Sequence, residues 1–129
     1  DGAPHQIIKR FKKNSNSLIL GTSSFWEGVD IDDGSLNLLI ITKLPFDVPT
    51  HPLFSARSEK YQTPFFEYSI PRAVIKFKQG FGRLIRSEDD TGKVLLLDSR
   101  IVTKKYGKIF VESLPGGKID YKQDYDFIN

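Results

Sequence analysis

Arg83 and Arg86 stand three residues apart in "QGFGRLIR", residues 79 to 86, behind Gln79 and the two glycines Gly80 and Gly82. On a helix, residues three apart point to nearly the same side, so both guanidinium groups can reach one anion. Arginine stays charged and forks onto phosphate oxygens, which suits the charge that develops on a phosphoryl group in transfer. The glycines remove side chains and let another backbone or a ligand come close, each at a cost of about 1 kcal/mol against alanine in a helix interior. The other reading of these residues is an exposed basic helix end, with Arg86 set against its own C-terminal dipole.

A second cluster lies upstream. "GTSSFWEGVD", residues 21 to 30, packs hydroxyls, acids, glycines and two aromatics into one short stretch. Thr22, Ser23 and Ser24 can hydrogen-bond phosphate oxygens. Glu27 and Asp30 can hold ribose hydroxyls or another side chain, and Phe25 and Trp26 read as core.

These residues need elements to position them. "SLILGT" (17–22), "LNLLIIT" (36–42) and "KVLLLD" (93–98) are short, continuously apolar runs. Such runs fit strands of a parallel sheet covered on both faces. All three end in polar residues (Thr22, Thr42 and Asp98), and ligands of open α/β sheets gather at the carboxyl ends of strands. Ile7, Ile8 and Phe11 at helical spacing predict a helix over about 4–13, with Lys9, Arg10, Lys12 and Lys13 filling its other face. "LPFDVPTHP" reads as an extended loop, "LFSARSEKY" as a helix, and "QTPFFEYSIP" as a broken patch. From Pro71, apolar residues 73, 74, 77, 81, 84 and 85 predict a helix running through Arg86. "TKKYGKIFVESLP" reads as a closing helix. The order predicts an α/β layered domain with a mostly parallel sheet. Three strands are few for such a fold, and a neighbouring segment upstream is expected.

Composition narrows the field. The 129 residues suffice for one domain, at net charge +3 and pI near 9.1. This mildly basic balance is compatible with a polyanion partner. Cysteine is absent, which excludes disulfides and thiolate-bound zinc or iron–sulfur clusters in this segment. His5 and His51 share no metal-ligand spacing, and no metal site is expected here. There is no signal peptide and no apolar run long enough to span a membrane. The chain has no methionine, not even an initiator, which suggests a piece of a longer protein.

"GTSSFWEGVDIDDG" followed by "QGFGRLIR" resembles motifs V and VI of superfamily 2 DNA helicases. "FWEGVD" and the proline-rich "LPFDVPTHP" are similar to the DinG/XPD-type branch, as are "GKVLLLDSR" and "YGKIFVESLP", so the likeness covers about residues 17 to 115. The resemblance implies an α/β RecA-like fold of P-loop NTPase type. Residues 1–129 would be part of the second motor domain, lacking its first strand and the ATP-binding first motor domain. It implies ATP and Mg2+, both held mainly by that first domain, whose phosphate loop and acidic box are absent from this sequence. By position, Arg86 resembles the arginine finger on the γ-phosphate, with Arg83 and Gln79 shaping that contact. Gly82 would admit the backbone, Glu27, Gly28 and Asp30 would lie near the nucleotide, and Thr22, Ser23 and Ser24 would contact DNA phosphates. The implied partners are single-stranded DNA, ATP and the N-terminal motor domain of the same chain, in the cytoplasm and with no membrane. The piece alone is expected not to hydrolyse ATP. Two other readings stay open: a DinG-type 3'-5' exonuclease whose nucleotide site regulates the nuclease, and a non-catalytic nucleic-acid-binding module using Lys9, Arg10, Lys12 and Lys13.

Overall fold

Two of the three apolar runs pair. In the computed structural model, which describes residues 3–22, 25, 31, 36–48, 52–85, 90–116 and 120, β1 (Leu38–Ile41) lies parallel to β2 (Lys93–Leu96). Leu38 is opposite Lys93 and Ile41 opposite Leu96. Backbone bonds from Lys93 to Asn37 (3.1 Å) and from Leu97 to Ile41 (2.9 Å) extend the ladder at both ends. A parallel pair cannot be closed by a hairpin, so the chain between the strands must cross over. It does so through α2 (Pro52–Ser58) and α3 (Ile70–Phe81). The domain opens with α1 (Pro4–Lys13) and closes with α4 (Arg100–Thr103) and α5 (Gly107–Glu112). The class is therefore α/β with a parallel sheet, as the apolar runs require.

The run at 17–22 departs from expectation. It forms no strand, and Leu18 and Leu20 are 74% and 86% exposed. An apolar run becomes a strand only where a neighbour satisfies its backbone, and none of the described residues supplies one. Among the described residues the sheet is covered on one face: Leu39 and Ile41 turn toward the core, while Leu38 and Ile40 stay 44% and 43% exposed.

The core forms where α3 crosses the sheet. Ile70, Ala73, Phe77 and Gly80 are buried at spacings of three and four, the stripe expected of an amphipathic helix. Ile70, Ala73 and Phe77 pack with Ile41, Leu44 and Phe110. Phe77 and Phe110 meet edge to face at 5.5 Å. Phe46 stacks on Phe65 at 5.8 Å and presents its edge to Tyr106 at 5.6 Å. A smaller cluster joins Ile8 on α1 to Ile31, with Phe25 packed against it as its aromatic character suggests.

Two predicted boundaries are corrected. "QTPFFEYSIP" is not a break: Phe65–Ser69 forms a π-helical turn that runs directly into α3. Pro71 has no N–H and its ring would press on the carbonyl four residues back, so an ordinary turn would fail there. Widening the turn resolves this, and the Ile70 N–H donates to the Phe65 carbonyl instead. The closing helix, in turn, is two short helices rather than one. The chain bends at Lys104–Tyr106, and Gly107 packs against α4 so closely that a Cβ there would lie 2.0 Å from the Ile101 carbonyl oxygen.

Candidate functional site

With Ile70, Ala73, Phe77 and Gly80 buried, the opposite face of α3 must carry Arg72, Ile75, Lys76 and Gln79. These four and Arg83 line an open groove of about 370 Å³. Among the described residues, two cations and an amide on the helix and a third cation just beyond its end make a surface suited to an extended anion such as a polyphosphate. Gln79 is exposed and Arg83 half-buried, and the structure brings these two predicted residues to one site.

Arg83 reaches the groove differently from the expectation. α-Helical geometry ends at Phe81, and Gly82 to Leu84 form a turn. The Gly82 N–H donates to the Lys78 carbonyl at 2.8 Å and the Arg83 N–H to Gly80 at 3.2 Å. Arg83 thus leaves from a tight turn, not from a straight helix shared with Arg86. Gly82 keeps helical angles (φ −65°, ψ −3°), and a Cβ there would sit 3.2 Å from the Lys78 carbonyl oxygen. The nearest neighbour of its bare Cα is the helix itself. Leu84, the next residue but one, is buried and lies against the Gly92 backbone, which anchors the turn just before β2.

The sequence pattern missed Asp47. Its carboxylate accepts the Arg72 Nε–H at 2.8 Å and also a hydrogen bond from the Lys76 ammonium. One acid of the proline-rich loop therefore bridges two cations of the groove. Burial pushes the Asp47 carboxyl upward, but the hydrogen bonds from Lys76 and Arg72 outweigh it, and the carboxyl lies below its usual range. The only local signal was the i, i+4 spacing of Arg72 and Lys76; their partner lies 25 and 29 residues away.

The same loop is fixed at its other end. Asp98, at the carboxyl end of β2, is 8% exposed. It accepts the Leu44 N–H at 2.8 Å and is gripped by the Arg100 guanidinium, with Nη2 to Oδ2 at 2.6 Å. The Arg100 hydrogen bond holds the carboxyl at about 2 against the upward push of burial, helped by the Leu44 and Arg100 N–H groups. The Arg100 guanidinium also lies over the Phe46 ring, 5.3 Å from its centroid. Residues 44 to 47 are thus a strut between the strand end and the groove.

Thr22 is exposed, and its carbonyl accepts the Phe25 N–H at 2.9 Å. Arg86, Ser23, Ser24, Glu27, Gly28 and Asp30, with Trp26 and His51, lie outside the described residues. Among the described residues, no three His, Cys, Asp or Glu side chains converge where a metal ion could be held. No helix among them is long and apolar enough to cross a membrane.

A family model described as the helicase C-terminal domain matches residues 1–117. The chain is 42% identical over 127 residues to the 3'-5' exonuclease DinG of Bacillus subtilis, covering 95% of this chain and 14% of that protein. It is 47% identical over 114 residues to the ATP-dependent DNA helicase YoaA of Escherichia coli, covering 85% of this chain and 18% of that one. It is 45% identical over 119 residues to the ATP-dependent DNA helicase DinG of Photobacterium profundum, covering 86% and 17%. The chain thus spans less than a fifth of the length of these relatives.

Proposed function

The chain belongs to the helicase C-terminal domain family, as a DinG-type member, and on that premise we propose that residues 1–129 are part of the second, RecA-like motor domain of an ATP-dependent DNA helicase. The observation that carries this reading is the α3 groove. Gln79 and Arg83, the described chemistry-bearing residues of "QGFGRLIR", line one cation-rich groove on the crossover of a parallel β–α–β unit.

In this role ATP lies between two motor domains, and the present one faces the phosphates with the α3 groove. Arg86 is the finger on the γ-phosphate, where such arginines are worth about 10³ to 10⁵ in rate. Arg83 and Gln79 position the phosphates from the turn and from the helix. Glu27, Gly28 and Asp30 line the nucleotide side of the upstream loop, Gly82 keeps the helix end close, and Thr22, Ser23 and Ser24 hold DNA phosphates. The groove presents cations and an amide, which fits a polyphosphate and not a metal ion, so Mg2+ is assigned to the other motor domain. A site divided between domains couples nucleotide binding to closure and hydrolysis to opening, which moves single-stranded DNA. The parent works in the cytoplasm.

In the full-length parent, Arg86→Ala is expected to cut DNA-stimulated ATPase at least about tenfold while nucleotide affinity changes less. Unchanged turnover removes the finger assignment. The 42% identity to a protein named as a 3'-5' exonuclease favours a second reading, in which the nucleotide site regulates nuclease action. A parent without ATPase whose nuclease responds to ATP would establish that reading instead.

A further inference from the structure

Phe65 and Phe66 stand side by side on the π-helical turn, and only the first is packed into the aromatic cluster. Phe65 meets Phe46 and Tyr106, with ring centres 5.8 and 5.5 Å away. Among the described rings Phe66 meets Phe65 alone, edge to face at 5.4 Å, and it is 63% exposed. Leaving a phenylalanine in water forgoes the burial that would stabilise the fold. Phe66 is thus a ring steadied by a packed neighbour and largely open to solvent. The chain beside it is basic. Lys104 and Lys105 directly precede Tyr106 in the bend between α4 and α5. Both are exposed, and among the described residues neither forms an ion pair. The nearby acids are engaged. Glu67, next to Phe66, accepts the Gln62 and Thr63 N–H groups at 3.1 and 3.4 Å. Asp98 and Glu112, on either side of the two lysines in sequence, pair with Arg100 and Lys108.

We propose that Phe66, with Phe65 beside it, is a stacking ledge for the bases of single-stranded DNA, whose phosphates run past Lys104 and Lys105. The inference rests on the motor-domain reading, which supplies the strand. Exposed aromatic rings also suit a protein interface, but lysine is depleted in such interfaces. A nucleic-acid strand uses both features at once: a ring for its bases and cations for its phosphates. Every base has a π-face, so stacking grips a strand without reading its sequence, as movement along DNA requires. The two parts of the ledge have separate signatures. The ring contributes affinity that salt leaves alone, and the lysines contribute affinity that salt removes.

The test uses the full-length parent and an end-labelled single-stranded oligonucleotide, followed by fluorescence anisotropy over a range of salt. Phe66→Ala is expected to weaken binding at least about fivefold without changing the salt slope. Phe66→Leu keeps apolar bulk but has no π-face and should weaken it too, whereas Phe66→Trp should restore it. Lys104→Gln/Lys105→Gln should lower the slope of log affinity against log salt by about one. The thermal midpoint of each Phe66 variant should stay within about two degrees of the parent's, since the ring is exposed. Unchanged affinity in Phe66→Ala overturns the inference, as does an unchanged salt slope in the lysine variant. Full binding by Phe66→Leu would mean an apolar contact without stacking, and a lowered midpoint would mean that another part of the parent covers the ring; either overturns it. The motor reading fails separately, as a parent without DNA-stimulated ATPase whose oligonucleotide binding still depends on Phe66.

Discussion

The Asp98 carboxylate accepts the Leu44 backbone N–H at 2.8 Å, joining positions 54 residues apart in the chain. This bond ties the end of one strand to the segment that follows the other, and Arg100 completes it with a two-pronged grip on the same carboxylate. Removing the acid would leave both the amide and the guanidinium without this acceptor.

Asp98→Ala should therefore destabilise the domain by about 2 kcal/mol, measured by denaturant unfolding at neutral pH. The pH dependence has a definite sign. The folded carboxyl sits at about 2, below its ordinary 3.8, so its contribution is complete above about pH 4 and fades as pH falls toward 2. Asp98→Ala should flatten this part of the stability profile. A profile that keeps its acid limb would assign the limb to other carboxylates.

Gly107→Ala forces a methyl to within 2.0 Å of the Ile101 carbonyl oxygen. Backbone must move, and the expected loss is about 1–3 kcal/mol or more, seen as a lower thermal midpoint. A midpoint equal to that of the parent would mean that α4 and α5 separate easily.

Arg83→Lys retains the charge but not the planar fork. If the fork orients phosphate, DNA-stimulated ATPase in the full-length parent falls about tenfold while the thermal midpoint stays within a degree or two. Full activity would show that a point charge suffices at that position.

Lys9, Arg10, Lys12 and Lys13 are all exposed on α1, while Ile8 on the same helix is buried. This is the pattern of a solvated helix face. Replacing all four by glutamine should change single-strand affinity of the parent less than about threefold at physiological salt. A larger loss would favour the nucleic-acid-binding module over the motor.

The legible parts of the fold were local. The apolar stripe of α3 follows a 3.6-residue period, and the apolar runs at 38–41 and 94–96 fit parallel strands and pair as such. Gln79 and Arg83 of the motif line one groove, although the turn at Gly82 removes the straight helix on which the joint reach of Arg83 and Arg86 was argued. Three features were hidden for physical reasons. Leu18 to Leu20 have strand character, but a strand also needs a partner, which periodicity does not reveal. Pro64 and Pro71 look like helix breaks because a π turn that absorbs a proline leaves no pattern of its own. Asp47 meets Arg72 and Lys76 only because the crossover helix returns beside the loop that follows β1.

The widened turn at Phe65–Ser69 has a consequence for chain length. It holds about one residue more than an ordinary turn, so, counted back from α3, its first residue stands about 100° from the phase of an uninterrupted helix. Phe65 meets Phe46 on one side of that offset, and the Arg72–Arg83 face opens on the other. Deleting a single residue between Pro64 and Pro71 would press the Pro71 ring on the turn before it and twist the aromatic cluster out of register with the groove. Outside Phe65 and the buried Ile70, this stretch should accept replacements of side chain more readily than a change in the number of residues.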